Sequence, residues 1–515
     1  MNTHQTPKPR RTRGLASLAV VGSLVVSVVL AGCSAASVEA VAEPTTAPTA
    51  TTVATDTEYT ATVAALLAAN ADWTTVNDDE WDLAAATDLE PTSATTTITE
   101  AGVYRLSGDY GPVVVTAPDD AQVVLVLDGA DIENATGIEV QTADDVAVFL
   151  VDGSTNSVTA TVSNAEAAAN AAIHADADLT ISGTGTLEVT AGGIADGISS
   201  TDDLVVLSGA VSVAAADDAL RGKDSLVIEG GTLAVSAGGD ALKSDDEEDA
   251  TKGFVAILGG AISGTAGDDG VDAFTDIVVA DGTLEVTATG DGLHAETALA
   301  IGGGTVSVLG SDEGLEAFAI TIEGGNASVV SSDDGVNASG GTTAATQGGG
   351  GMGGEGDGGQ TVTITAGSFT IDAGGDGLDS NGSVAMSGGT VVVFGPTNDG
   401  NGALDVNGEF VVSGGELIAV GSAGMAVAPS TASPQSWVAA TASAAAGATI
   451  TVVDAAGTQI ASVTTPKAIS SVVVSTAAIS VGSSYSIVVD GSTVATAIAG
   501  EFVGGGGPGG GDRRP

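Results

Sequence analysis

Residues 218–242 read DALRGKDSLVIEGGTLAVSAGGDAL, and this stretch holds one complete unit of a repeat. It opens on an acid, a small residue and an aliphatic, Asp218-Ala219-Leu220, and the triplet returns 22 residues later as Asp240-Ala241-Leu242. Two short apolar runs lie between, Leu226-Val227-Ile228 and Leu233-Ala234-Val235, parted by Gly230-Gly231. Helical spacing is absent. Runs this short cannot bury a face alone, so the unit needs neighbours of its own kind.

Working outward, two markers keep one phase. The first is a small dipeptide between strands: Ser208-Gly209, Gly230-Gly231, Gly259-Gly260, Asp281-Gly282, Gly303-Gly304, Gly324-Gly325, Ala366-Gly367, Gly388-Gly389 and Gly414-Gly415. The steps are 21 or 22 residues, apart from 29, 42 and 26. The step of 29 carries Asp245-Asp246-Glu247-Glu248-Asp249, and the step of 42 reads as two units that include the tract from Gly340 to Gln360. The second marker is the acid triplet, at Asp196, Asp218, Asp240, Asp269, Asp291, Glu313, Asp334 and Asp376.

Stacked about 4.8 Å apart, such units cover one another and merge their aliphatics into one core. Glycine suits the corners because they need positive φ or close backbone approach. The reading is an all-β chain, a right-handed parallel β-helix of 21–22-residue coils, over residues 96–424. Aromatics at 3% agree with a narrow core. A β-sandwich has no need of so regular a period. Residues 425–503 leave the repeat, with strands expected near Thr449–Val453, Ser471–Val474 and Tyr485–Val489, and read as a small C-terminal β capping unit over an open edge. Residues 504–515 read as a flexible glycine-rich tail.

The beginning of the chain carries an address. Lys8, Arg10, Arg11 and Arg13 precede an apolar stretch from Leu15 to Leu30, the build of a secretory signal peptide. Leu30-Ala31-Gly32-Cys33 resembles a bacterial lipoprotein lipobox. That resemblance implies lipidation of Cys33, removal of residues 1–32 and a place on the extracellular face of the membrane, held there by lipid. Residues 33–95 read as a disordered tether and a short N-terminal segment, with a short helix within Tyr59–Asp82.

Cys33 is the one cysteine, so no internal disulfide forms and no cysteine metal site exists. Removing residues 1–32 takes four of the 12 basic residues and no acid, which leaves eight against 66 and a formal charge of −58. Such a charge argues against a nucleic-acid partner and favours cation binding.

Equal offsets fall in rows up the stack. The acid row runs Asp196, Asp218, Asp240, Asp269, Asp291, Glu313, Asp334, Asp376; Asp217, Asp268, Asp312 and Asp333 precede it, and Asp272, Glu316 and Asp379 follow the aliphatic. Carboxylates about 5 Å apart need compensation, and calcium supplies it through six to eight oxygen ligands. The candidate metal ligands are Asp218, Asp240, Asp268, Asp269, Asp272, Asp291, Glu313, Asp333, Asp334, Asp376 and Asp379. The competing reading is that each Asp forms a turn with its own backbone.

The position after the aliphatic varies: Ser199, Arg221, Lys243, Asp272, His294, Glu316, Asn337, Asp379. Arg221, Lys243 and His294 are candidate contacts for sugar carboxylates, although Arg221, Lys243, Lys223 and Lys252 also read as local charge relief. Phe274 and Phe318, three residues past the aliphatic, are candidate exposed rings on which a sugar stacks.

Three motifs carry a wider resemblance: Gly374-Gly375-Asp376-Gly377-Leu378-Asp379-Ser380-Asn381-Gly382, Ser387-Gly388-Gly389-Thr390-Val391, and Gly395-Pro396-Thr397-Asn398-Asp399-Gly400-Asn401-Gly402-Ala403-Leu404-Asp405. Here the chain resembles the bacterial extracellular carbohydrate-binding β-helix domain family, described as polysaccharide-lyase-like. The resemblance covers about residues 95–503 and implies bound calcium and pectin-like or cellulosic ligands, without established catalysis. Two other classes stay open. One is a pectate-lyase-like eliminase with Arg221 or Lys243 as base. The other is a structural adhesin or spacer.

Overall fold

A computed structural model of the chain describes residues 59–70, 73–162, 169–340 and 357–502. The expectations for the signal segment, Cys33, the tether before residue 59 and the tail from 504 lie outside the described residues. Among the described residues no helix is long and apolar enough to cross a membrane.

The chain is all-β, and most of its strands join one large, mostly parallel sheet. Through most of the repeat a strand pairs in parallel with the third strand along, and with the second where Leu293–Ile301 and Leu315–Ile322 each span two ladders, so three ladders grow side by side. The first follows the acid triplet, with Ile198, Leu220, Leu242, Val271, Leu293, Leu315, Val336, Leu378 and Leu404 in register. The second carries Leu204, Leu226, Val255 and Ile277. The third carries Val211, Leu233, Ile262, Leu284 and Val306. One continuous hydrophobic cluster runs through all three, from Ile98 to Val412 and beyond. Register errors are costly here, because a one-residue slip would turn this aliphatic set to the opposite face.

The corners obey the glycine expectation. The second residue of every marker dipeptide, from Gly209 to Gly415, is a glycine with φ between 67° and 111°. A side chain there would also strike the stack: a Cβ on Gly260 would lie 2.9 Å from the carbonyl carbon of Gly230.

One reading of the spacing is corrected. The step of 42 is a single unit with an insertion, because Val336 pairs directly with Leu378 and Ala327 with Phe369. The extra residues leave at the corner between the strands Val336–Ala338 and Thr361–Ile364. The step of 29 opens at the same corner, between Leu242–Ser244 and Phe254–Ile257. An insertion there adds length without disturbing the pairing on either side.

The third ladder alternates buried and exposed residues, as in Thr232–Ser236, and parts of the first alternate buried and half-buried ones, as in Leu220–Gly222. Four units of the second do not alternate. Asp203–Val206, Ser225–Ile228, Phe254–Ile257 and Asp276–Val279 are buried on both faces. Their cover is the N-terminal segment. Helix α1, Ala61–Ala69, sets Val63 and Leu67 against Val205, Val227, Ala256, Val278 and Ala300. Farther along, Val76 and Trp81 cover Val124, Val126, Ala147 and Phe149.

Polar bonds fasten this strap. The Asn70 amide donates to Asp276 at 2.9 Å, the Thr74 N–H to Asp203 at 2.8 Å, and the Val76 N–H to Thr180 at 3.0 Å. Thr62 donates from its N–H to Glu323 at 2.8 Å.

At the far end Glu416–Gly421 turns the pattern antiparallel by pairing with Ile469–Ser475, which also pairs with Trp437–Ala444. A four-stranded antiparallel sheet follows, built from Thr449–Val453, Gln459–Thr464, Ser484–Val489 and Ser492–Ile498. It shares a second hydrophobic cluster with the last parallel strand through Ile418 and Val420.

Candidate site: an acid row and its neighbour on the first ladder

The acid row is held by the backbone itself. Along most of the row a carboxylate oxygen accepts the N–H of the row residue in the next unit: Asp218 from Asp240 at 2.8 Å, Asp240 from Asp269 at 2.8 Å, and Asp269 from Asp291 at 2.6 Å. Asp291 accepts from Glu313 at 3.1 Å, and Asp334 from Asp376 at 2.6 Å. One oxygen of each of these five is thereby committed to the backbone of the neighbouring unit, rather than to a turn of its own. The glycine before the acid leaves the room this needs. A Cβ on Gly290 would lie 2.3 Å from Asp269 Oδ1, and one on Gly375 2.5 Å from Asp334 Oδ1.

Beside it runs the variable row, and pairing confirms its register from Ser199 through Arg221, Lys243, Asp272, His294, Glu316 and Asn337 to Asp379. It extends farther than the triplets show. Glu139 and His174 precede Ser199, and Asp405 follows Asp379. His174 and Glu139 lack the acid triplet that marks later units. Asp405 sits after Ala403-Leu404, where Gly402 stands in place of the acid.

The two rows meet differently at their two ends. In the upper part the protein supplies its own cations. Lys243 contacts Asp240 and lies 3.8 Å from Asp218 and 3.3 Å from Asp272. His294 is 3.0 Å from Asp272, and Arg221 2.9 Å from Asp245. Hydrogen bonding to Asp272 lifts His294 to about 9, and His294 with Lys243 hold Asp272 below the ordinary carboxylate range against the effect of burial. Lys243 is itself held high by Asp218, Asp240 and Asp272, although its burial works the other way. Lys223 pairs with Asp246, so with Asp245 the inserted acidic corner supplies the counter-charge of Arg221 and Lys223, while Lys252 from the same corner pairs back to Asp224.

In the lower part the variable row offers Glu316, Asn337, Asp379 and Asp405 and no base. Burial raises Glu313 to about 8 and Asp379 to about 7, with Glu316 adding to the first and Asp334 and Asp405 to the second. Asp334 and Asp376 rise to about 6, again chiefly through burial. Oxygens of Asp291, Glu313 and Glu316 lie within 4.8 Å of one another. Asn337 stands against this group and donates to Glu313 at 2.6 Å. Its own carbonyl oxygen is buried without a partner, in a residue only 9% exposed. The contact Asn337 makes with the group is through its amide nitrogen.

Two further trios lie as close: Asp269, Asp272 and His294, and Asp196, Asp217 and Asp218. Asp268 and Asp333 flank the row as exposed side chains. The two candidate rings differ in exposure. Phe274 is 37% exposed and Phe318 half-buried, and neither belongs to the close ring pairs Trp73–Phe254 and Trp81–Phe149.

Residues 92–335 match the family model of carbohydrate-binding domain-containing proteins. The carbohydrate-binding match takes in the acid row as far as Asp334 and ends before Asp376, Asp379 and Asp405. A polysaccharide lyase-like protein from C. thermocellum, solved as a gadolinium derivative, is 30% identical over 42% of this chain and 95% of its own, with a TM-score of 0.40. No curated protein matches the chain.

Proposed function

We propose that the chain is a cell-surface lipoprotein that binds polysaccharide, pectin-like polyuronate or cellulosic, without cleaving it. In this reading the three ladders close into a right-handed parallel β-helix, and calcium on the acid row bridges protein carboxylates to those of the sugar. The observation that carries it is the close trio Asp291, Glu313 and Glu316, with the Asn337 amide bonded to Glu313 at its edge. The donors there are all oxygen, the set a hard cation takes. A buried carboxylate cluster is unfavourable while ionised, and a divalent ion reverses that. Asp334, Asp376 and Asp379 continue the same donor chemistry down the row.

Binding is favoured over elimination by the state of the two candidate bases. A base must be unprotonated to take the C5 proton. Lys243 is surrounded by three carboxylates that keep it charged, and Arg221 is engaged with Asp245.

The test is retention of the mature chain on polygalacturonate in calcium and in chelator. Calcium-dependent retention without growth of an unsaturated ultraviolet-absorbing product is the expected result. Retention that ignores the chelator would remove calcium from the account, and product growth would make the chain a lyase. For the anchor, Cys33→Ser is expected to move the chain from the membrane fraction to the medium.

A further inference from the structure

The strap creates a second cleft, away from the acid row. Tyr59, Leu67, Ala68 and Trp73 from the N-terminal segment face Glu229 and Leu258 across a space of about 530 Å³. Glu229 and Leu258 follow the paired residues Ile228 and Ile257, so they sit one unit apart on the same corner. Glycines come next in both units, Gly230 and Gly259, which keeps that corner low beside the cleft.

Aromatic residues are scarce in this chain: eight Phe, four Tyr and three Trp in 515 residues. Two of them line this one opening. Tyr59 is 37% exposed. Trp73 is half-buried, tilted at 57° against Phe254 with ring centroids 6.1 Å apart, and its side chain tempers the rise that burial gives the Glu229 carboxyl. Trp437, by contrast, is 3% exposed. Flat apolar rings with polar tips beside one hydrogen-bond acceptor match the C–H face and hydroxyls of a pyranose. Among the described residues no cationic side chain lines the cleft, and Glu229 would oppose a sugar carboxylate.

We propose that this cleft binds a neutral pyranose residue of a polysaccharide chain, with Tyr59 and Trp73 as the apolar surface and Glu229 as hydroxyl acceptor. The proposal rests on the reading that the chain binds polysaccharide, but not on calcium or on the acid row. Sites on two different ladders would allow one branched or mixed polymer to be held at two points, which raises avidity without new contacts.

The test is calorimetric titration of the mature full-length chain, in chelator, with a panel of neutral oligosaccharides (gluco-, manno-, galacto- and xylo-hexamers). Saturable binding of at least one is expected, weakened about tenfold by Tyr59→Ala and by Glu229→Ala. The same binding is expected to survive Glu313→Gln/Glu316→Gln. Because Trp73→Ala could loosen the strap from Phe254, Trp73→Phe serves beside it, with melting curves to verify folding; it should retain partial binding. No neutral oligosaccharide bound, or binding indifferent to Tyr59→Ala and Glu229→Ala, would overturn the proposal. Loss of calcium-dependent polygalacturonate binding alone would instead fault the acid-row reading and leave this one standing.

Discussion

The upper and lower halves of the acid row share one backbone plan and differ by about one side chain per unit. From Asp218 to Asp272 the variable position supplies Arg221 and Lys243, and buried carboxylates find a counter-charge within the protein. From Glu313 onward it supplies Glu316, Asn337 and Asp379, no cation among them, and the carboxylates crowd together. The comparison teaches that a repeat fixes where charges stand, while a single unconstrained position decides what neutralises them. In the upper half it is a lysine; in the lower half the account assigns the task to calcium.

The most damaging way to break this comparison is to remove the upper half's own cation. Lys243→Met leaves Asp218, Asp240 and Asp272 facing one another, and a loss of about 3 kcal/mol in chelator is expected from chemical denaturation. Added calcium should restore part of it, turning the upper half into a copy of the lower. Restoration by sodium at equal ionic strength would mean simple screening instead.

The reverse change has a smaller and opposite effect. In chelator Glu313→Gln/Glu316→Gln is expected to raise stability by about 1 kcal/mol, because it removes buried like charge. In calcium the same variant should lose the gain that the wild type shows. A variant destabilised in chelator would mean that these carboxylates are already compensated.

Acidity provides a third comparison. Asp218 and Asp269 stand at about 7 and Glu313 at about 8, all above their ordinary values of 3.8 and 4.5. Groups raised by folding hold protons more tightly when folded, so their contribution is present below the ordinary value and lost as pH rises through the raised one. Without calcium, the melting temperature should therefore rise from pH 8 toward pH 5. Calcium should flatten or invert that slope, since it competes with the protons. A metal-free melting temperature that falls on acidification across this window would contradict the arrangement.

The smallest effect belongs to the partly exposed pair at the rim. Asp245→Asn removes the partner of Arg221, and about 0.5–1 kcal/mol is expected from the same denaturation curves.

Much of the fold was legible because its signal is repeated. The Gly-Gly corners and the acid triplet keep one phase over nearly 200 residues, and structural pairing follows that phase unit by unit. The insertion between Ala338 and Thr361 misled the count, since 42 is twice 21 and spacing alone cannot separate two units from one with a long corner. The strap was not legible as a cover. Its mark lay in uninterrupted runs such as Leu204-Val205-Val206 and Ile277-Val278-Val279, which are apolar on both faces and therefore need a second layer. The site divided in the same way. The rows could be read from offsets, but their pairing across a corner could not, so Lys243 was visible as a base and its three carboxylate partners were not visible as partners. The Asn337 carbonyl has no sequence signal at all; an orphaned atom exists only in three dimensions.

The most direct test of the account is calcium stoichiometry by titration calorimetry on the mature chain at neutral pH, wild type against Glu313→Gln/Glu316→Gln. The account requires that the wild type bind calcium and that the double variant lose at least one equivalent while Lys243-flanked acids contribute none. Equal stoichiometry in the two proteins, or no calcium bound by the wild type, would contradict it.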